Sequence, residues 1–292
     1  MSMPADVGII DLMLGIPDGP KKDWYAFLKP LVRDHESRDE FEFPVEYMFK
    51  EVPDDHDEDD NVGFVVSQMD RYGIDQAMVG YVTKGETARA LREHPDRFLA
   101  SVSIDPNRGM DALRLLEKAV GDGAVSAQVF PAGCNPQVPI NDKRMYPIYA
   151  KCIELDIPIF VCVGVPGPRV PMACQHMELV DEVCWFFPEL RFVTRHGCEP
   201  WTELAVKLLL KWPNLYYSTS AFAPKYYPRA IIDYANTRGA DKVMYAGYFP
   251  MGLSLDRIMR ELPNVPLKDE VWPKFLRENA RRVLKLDERG AP

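Results

Sequence analysis

Arg191-Phe-Val-Thr-Arg-His-Gly-Cys-Glu-Pro-Trp201 is the stretch of this sequence that decides the fold. The apolar run Leu190–Thr194 predicts a short buried strand, because such runs bounded by turn residues are typical of strands covered on both faces. Arg195 and His196 follow at once, and a loop containing Gly and Pro comes next. Polar groups directly after a buried strand indicate a functional site at the carboxyl end of a parallel sheet.

The same alternation of apolar run and amphipathic stretch extends from end to end of the chain. Eight strands are predicted: Val7–Ile10, Asp75–Tyr81, Phe98–Ile104, Ala124–Phe130, Ile157–Val163, Leu190–Thr194, Leu215–Ser218 and Lys242–Ala246. Helices are predicted between them: Asn61–Tyr72, Lys84–His94, Gly109–Val120, Asp142–Leu155, Met177–Phe187, Trp201–Lys211 and Pro228–Arg238. Eight alternating strands favour an α/β fold, a TIM-type (β/α)8 barrel. An open doubly wound sheet would need a G-x-G-x-x-G loop, which does not occur.

No linker divides the sequence, so residues 1–292 are predicted to form a single domain. Residues 16–60 form a long insertion after strand 1, rich in aromatic and charged residues. A loop after a barrel strand lies on the face that carries the chemistry, which predicts a lid or an oligomer contact for this insertion. Residues 269–286 are predicted to form a C-terminal closing helix.

The composition excludes several classes of function. A formal net charge of −9 argues against binding to nucleic acid or to anionic membranes. No apolar run approaches the roughly 18 residues of a membrane span, and the N-terminus lacks the features of a signal peptide. The six cysteines form no CxxC pair, which predicts reduced, mostly buried thiols in a cytoplasmic protein.

Several short motifs occur in a specific order. They include Ile10-Asp11 at the end of strand 1, Met69–Asp75 before strand 2, Arg195–Gly197 after strand 6 and Glu278–Leu284 near the C-terminus. With these motifs the chain resembles, over nearly its whole length, the amidohydrolase-related family, in the branch of aminocarboxymuconate-semialdehyde decarboxylase and related aromatic-acid decarboxylases. The resemblance implies a metal-dependent barrel enzyme.

The metal ligands implied by the resemblance are mostly replaced in this chain. Met13 and Gly15 stand at the two imidazoles of the strand-1 motif, Cys162 at the strand-5 His and Tyr248 at the strand-8 Asp; the strand-6 His is kept as His196. Catalytic zinc typically needs three protein ligands, usually His or carboxylate. We therefore expect no cofactor, and zinc or another divalent metal on substituted ligands is the alternative.

Five residues are candidates for catalysis. His196 is predicted to transfer protons because an imidazole titrates near neutrality, with Glu199 as its orienting carboxylate. Tyr248 is a candidate acid or oxyanion donor. Asp11 is a candidate base or a residue that orients neighbouring loops. Cys162, expected close to His196, is either a nucleophile or a small buried apolar side chain.

The predicted substrate-binding residues are an amide, two possible anion clamps and several apolar or aromatic side chains: Met13, Gln128, Arg169, Arg195, Trp201 and Phe222. A guanidinium matches a carboxylate in bidentate geometry, which is why the two arginines are candidates. Aromatic walls with a few polar groups are typical of a small-molecule pocket.

Together these features predict a metal-independent enzyme that acts on a small aromatic or unsaturated carboxylate. Hydrolysis, carbon–carbon cleavage of the decarboxylase type and hydration stay open. A non-catalytic pseudo-hydrolase that binds a ligand or partner is a second hypothesis, and a metal-dependent hydrolase with substituted ligands is a third. A homo-oligomer, most simply a dimer, is expected.

Overall fold

The computed structural model describes residues 3–39, 44–49, 52–53, 56 and 59–288. Its strands are β1 Ile9–Asp11, β2 Ile74–Gly80, β3 Phe98–Ser103, β4 Ser126–Val129, β5 Ile159–Cys162, β6 Phe192–Arg195, β7 Leu215–Ser218 and β8 Val243–Met244. Each strand pairs in parallel with the next, in the order β1 to β8. All eight predicted strands are therefore present, and the predicted TIM-type (β/α)8 barrel is confirmed.

The two ends of the sheet meet beyond the regular strands. Leu14, after β1, forms a parallel bridge with Phe249, after β8. The backbone N–H of Gly15 donates to the carbonyl of Phe249 at 2.8 Å. This contact brings the carboxyl end of β1 beside that of β8.

Helices follow most of the strands. The insertion contains α1 Lys21–Trp24 and α2 His35–Asp39, and the barrel contains α3 Asn61–Tyr72, α4 Gly85–Glu93, α5 Met110–Gly121, α6 Tyr146–Glu154, α7 Leu179–Phe186, α8 Thr202–Lys211, α9 Arg229–Ala235, α10 Leu255–Glu261 and α11 Asn279–Leu284. The seven predicted barrel helices are present, some of them shorter than predicted. Helix α10 was not predicted. The predicted closing helix 269–286 is a π-helical turn, Lys274–Glu278, that continues into α11.

Helix α11 closes the amino end of the barrel. Inward-facing apolar side chains of the strands, among them Phe160 and Val193, share one buried cluster with Ala280, Val283 and Leu284 of this helix. The amino half of the barrel interior is thus a packed core.

Alternation along the strands places the polar residues at the opposite end. Cys162 comes two residues after the inward-facing Phe160, and Arg195 comes two residues after the inward-facing Val193. Because side chains two residues apart in a strand face the same side, both point into the barrel near its carboxyl end. The register pairs Cys162 with Arg195, so the two side chains lie at the same height.

The insertion after β1 is attached over this carboxyl end. Arg169, in the loop after β5, forms ion pairs with Asp34 at 2.8 Å and Glu36 at 2.7 Å, and its guanidinium lies 4.6 Å from the ring centre of Tyr47. The Tyr47 hydroxyl donates to the carbonyl of Gly167 at 2.5 Å. Arg169 therefore holds the insertion instead of facing the barrel interior, which contradicts its predicted role in clamping the substrate.

The structure bears on two expectations from composition, the state of the cysteines and the membrane-spanning segments. All six cysteines are free and buried, as predicted. Within the described ranges, no helix has both the length and the apolar character needed to cross a membrane.

Candidate active site at the carboxyl end of the barrel

A cavity of about 1400 Å³ opens at the carboxyl end of the strands. The predicted site residues on its wall are Met13, Gln128, Cys162, Arg195, His196, Glu199, Phe222 and Tyr248. The insertion contributes Tyr25, Phe27 and Phe49, so the site is built from strand ends below and from the insertion above. Aromatic and aliphatic side chains form much of the wall, which suits a small, partly apolar ligand.

Arg195 is the main charge inside the barrel mouth. Its residue is 7% exposed, and its Nη1 donates to the Oε1 of Gln128. The Nε is buried without a hydrogen-bond partner, and no carboxylate in the described part of the chain forms an ion pair with this side chain. Burial lowers the pKa of Arg195 below its usual range, although the group stays a cation at neutral pH. A buried cation without an anionic partner is costly, and a carboxylate ligand would relieve that cost.

Two phenols lie next to this cation. Tyr248 stacks on Phe49 with ring centres 5.6 Å apart, and it meets the ring of His196 edge to face at 5.8 Å. Burial raises the pKa of Tyr248 to about 12, a rise that its hydrogen bond with Tyr25 and the charge of Arg195 partly offset. Tyr248 is therefore a neutral hydrogen-bond donor at physiological pH.

His196 is held in a strained turn. Its φ is 64°, and the next two residues, Gly197 and Cys198, have φ values of 84° and 59°. Positive φ is sparsely populated by residues other than glycine, and such strain is often found at functional sites. A Cβ on Gly197 would lie 2.3 Å from the ring of Phe222, so glycine is also required there for packing. The turn redirects the chain so that the imidazole faces the cavity.

Ser220, after β7, fixes the ring of His196. Its Oγ accepts the backbone N–H of His196 at 3.1 Å and lies 3.2 Å from Nδ1 of the same residue. The ring also hydrogen-bonds to the backbone of Ser220, so both the side chain and the main chain of this residue hold the imidazole. The partner of the ring is thus Ser220 and not the predicted Glu199, because Glu199 lies beyond the turn.

The environment of His196 disfavours its charged form. Burial, together with the nearby Arg195, lowers the pKa of His196 to about 3. The imidazole is therefore neutral at physiological pH, which disagrees with the predicted titration near neutrality.

Glu199 and Cys162 differ in their suitability for catalysis. Glu199 lines the cavity, and burial raises the pKa of its carboxyl group, which suits a proton donor or acceptor. Burial raises the pKa of Cys162 to about 11, only partly offset by Arg195. A thiol that stays protonated is a poor nucleophile, so the structure favours Cys162 as a small buried side chain.

Three predicted site residues are absent from the cavity wall: Asp11, Trp201 and Arg169. The Oδ1 of Asp11 accepts the backbone N–H groups of Met13 at 2.9 Å and Gly247 at 2.8 Å, so it joins β1 to the segment after β8. Trp201 packs on His176 with ring centres 4.0 Å apart. These side chains therefore support the barrel mouth from outside the cavity.

Comparison with known proteins assigns the family. A family model described as amidohydrolase matches residues 30–286, which is most of the chain. The chain belongs to the amidohydrolase family. The family expected from the sequence motifs is thereby confirmed.

Solved structures show the same fold for this amidohydrolase. An uncharacterized TIM-barrel protein from Bordetella bronchiseptica is 22% identical, with a TM-score of 0.74 over 97% of this chain and 100% of that one. A manganese-containing 5-carboxyvanillate decarboxylase from Novosphingobium aromaticivorans is 16% identical, with a TM-score of 0.68 over 96% of each chain. A 4-oxalomesaconate hydratase from Rhodopseudomonas palustris is 20% identical, with a TM-score of 0.61 over 96% and 97%. A comparison with proteins of curated function gave no match.

The residues of this amidohydrolase do not fit the divalent metal that the family implies. At the positions where the resemblance places metal ligands, the donors are the thioether of Met13, the protonated thiol of Cys162, the neutral phenol of Tyr248 and one imidazole nitrogen of His196. The cation Arg195 lies beside these groups and would repel a second positive charge. In the described part of the chain, no group of three or more His, Cys, Asp or Glu side chains is arranged to hold a metal.

Three residues of the site were not predicted from the sequence. Asp105 lines the cavity two residues after the end of β3, and its place just beyond a strand end could have indicated it. Ser220 closes the polar run Ser218-Thr-Ser220 at the end of β7. Tyr25 lies in the insertion, where no periodic pattern indicates which side chains face the barrel.

Proposed function

We propose that this amidohydrolase is a metal-independent enzyme that acts on a small aromatic or unsaturated carboxylate, as a hydrolase or a carbon–carbon lyase. The observation that carries the proposal is Arg195, a buried cation at the floor of a largely apolar cavity. Among the residues that the structure describes, no carboxylate pairs with it. An anionic group bound there would gain charge-assisted hydrogen bonds with the guanidinium.

The neighbouring groups support chemistry that develops negative charge. When a carboxyl group leaves as carbon dioxide, its bonding electron pair stays on carbon and must accept a proton; hydrolysis instead places charge on an oxygen. Arg195 and the Tyr248 hydroxyl are donors suited to either case. Glu199 is the candidate for the proton transfer, because its pKa is raised. This division of roles replaces the predicted proton transfer by His196.

The similar proteins support the same class of substrate. Among the matched structures are lyases named for carboxylate substrates, a decarboxylase and a hydratase. The Met13, Cys162 and Tyr248 donor set supports a reaction without a divalent metal here.

The shape of the site favours a ligand-binding protein over a pure scaffold. A pseudo-hydrolase that only supports a partner would be expected to fill its pocket with side chains such as Met13 and Tyr248. Both residues instead form part of the wall of a large cavity. A homodimer and a cytoplasmic location complete the proposal, and light scattering on the purified protein tests the dimer.

A matched pair of arginine variants tests the carboxylate site. Arg195→Met removes the buried charge at similar volume. Arg257→Met removes a cation that also lines the cavity but is paired with Glu261 at 3.1 Å. Hydrogen bonds to charged groups contribute roughly 1.5–3 kcal/mol, so Arg195→Met should weaken benzoate binding about 10- to 150-fold in calorimetry. Arg257→Met should leave it nearly unchanged. Equal affinity of the wild type for benzoate and neutral benzamide would contradict the proposal.

Turnover is tested on metal-depleted protein. A panel of hydroxybenzoates and unsaturated dicarboxylates is incubated with chelator-treated enzyme, and released carbon dioxide and ultraviolet absorbance are followed. We expect activity that survives chelation and falls in Arg195→Met. Activity that returns only on addition of manganese or zinc would refute metal independence.

A further inference from the structure

We infer that Gln128, on β4, is a positioning residue that holds the Arg195 guanidinium and makes the cavity select an anionic ligand over a neutral one. The inference rests on the proposed function and deepens it. It names the residue that leaves the charge of Arg195 available to the carboxylate of the substrate.

Gln128 reaches Arg195 across the barrel interior. Gln128 pairs with Phe160 between β4 and β5, and Phe160 pairs with Val193 between β5 and β6. Because Val193 precedes Arg195 by two residues, Gln128 lies one inward-facing layer below Arg195. Its side chain spans that layer, and its Oε1 accepts a hydrogen bond from Nη1 of Arg195. The guanidinium is therefore held from a strand that is not adjacent to its own.

The orientation of the Gln128 amide is fixed at both ends. A guanidinium has only hydrogen-bond donors, so the amide oxygen must face Arg195. The amide nitrogen then faces away from Arg195, and it donates to the Oγ of Ser103 on β3 at 2.8 Å. All three side chains form part of the cavity wall. Contacts on β3 and β6 thus hold the amide, and the guanidinium with it, before a ligand arrives, and preorganisation of this kind lowers the cost of binding.

The neutral charge of the Gln128 side chain gives it its role in selectivity. A glutamate has almost the same shape, but its carboxylate would pair with Arg195 and cancel the positive charge. The interaction between the two charges would be strong because Arg195 is buried. An amide instead satisfies one donor of the guanidinium and leaves its net charge unchanged. The cation can therefore bind the anionic group of a ligand.

The experiment compares the binding of benzoate and of neutral benzamide by calorimetry. The variants are Gln128→Glu and Gln128→Leu, and the matched control is Asn135→Asp, which makes the same change from amide to carboxylate at an exposed residue of the cavity wall. We expect Gln128→Glu to weaken benzoate binding about 10- to 150-fold and benzamide binding less than about 3-fold. Gln128→Leu keeps the charge of Arg195 but releases the guanidinium, so benzoate binding should weaken only about 3- to 10-fold.

The control and the two ligands separate this role from a purely structural one. Asn135→Asp should change benzoate binding less than about 3-fold, because its charge is exposed to solvent. Benzoate binding that is unchanged in Gln128→Glu, that falls equally with benzamide binding, or that falls as far in Asn135→Asp would overturn this inference and leave the proposed function standing. Failure of the wild type to prefer benzoate would overturn both. Circular dichroism checks the folding of each variant, and Gln128→Glu alone decides the outcome if Gln128→Leu does not fold.

Discussion

Replacing Asp11 by Asn should change the pH dependence of stability more than the structure. The Asp11 side chain is fully buried, and its Oδ1 accepts two backbone N–H groups that join β1 to the segment after β8. Asparagine keeps an oxygen for both bonds and removes the charge. Burial raises the pKa of Asp11 from 3.8 to about 6, although its backbone partners and Tyr245 oppose the rise.

The sign follows from proton binding. Between pH 3.8 and about 6 the folded protein holds a proton on Asp11 that the unfolded chain has released. The free energy of unfolding therefore falls as the pH rises through this window. A difference of about 2 between the two pKa values corresponds to roughly 3 kcal/mol, at 1.36 kcal/mol per pKa unit. The free energy of unfolding of the wild type, compared with that of Asp11→Asn, should therefore be highest below about pH 4. This difference should fall by roughly 3 kcal/mol by about pH 6 to 7.

Urea denaturation followed by tryptophan fluorescence, at steps from pH 4 to pH 7.5, measures this difference. Asp233→Asn, an exposed carboxylate on α9, is the control and should give a difference from the wild type that varies little with pH. If the free energies of unfolding of the wild type and of Asp11→Asn change in parallel from pH 4 to pH 7.5, the argument that burial holds the proton on Asp11 is refuted.

Three further predictions concern the cavity and the loops around it. Gly164→Ala should lower the free energy of unfolding by more than about 2 kcal/mol in thermal melts, because φ of Gly164 is 110° and the new Cβ would lie 2.9 Å from a backbone oxygen of the β6–α8 loop. The control Gly80→Ala, whose Cβ would meet nothing within 4 Å, should have a much smaller effect. Equal effects of the two substitutions would contradict this account. Cys162 should react with iodoacetamide at pH 8 more than about 100-fold slower than a free cysteine, because burial keeps the thiol protonated. Mass spectrometry measures the rate of labelling. Rapid labelling would support the hypothesis that Cys162 is a nucleophile. Arg169→Gln should speed chymotryptic cleavage within residues 16–60 by about 2- to 10-fold, because it removes the ion pairs with Asp34 and Glu36. The control Arg229→Gln, at an exposed arginine, should leave the rate unchanged. An unchanged rate in Arg169→Gln would show that the two ion pairs do not hold the insertion.

Local patterns of apolar residues in the sequence predicted most of the fold. The eight apolar runs and the helical stretches between them depend on residues close in sequence, so their positions were predicted within a few residues. Helix α10 was missed because several turn residues surround a short periodic segment, Leu255–Glu261. The closing helix was predicted as continuous, and its π-helical turn reflects packing at the amino end of the barrel.

The candidate site was predicted less completely. Strand ends identified Arg195 and His196, since parallel strands bring their carboxyl ends together whatever lies between them. Arg169 and Trp201 follow strands in the same way but face the insertion and His176, respectively. Which way a loop side chain points depends on contacts with distant segments, and sequence spacing does not contain that information.

The sequence by itself determined the barrel, the family and the replacement of most metal ligands, because each depends on residue identity at ordered positions along the chain. Only the tertiary structure decided that His196 is neutral, that Ser220 orients it and that Arg195 pairs with no carboxylate of the described residues. Protonation and pairing depend on burial and on charges brought together from distant parts of the chain, and these exist only after the strands have closed around the cavity.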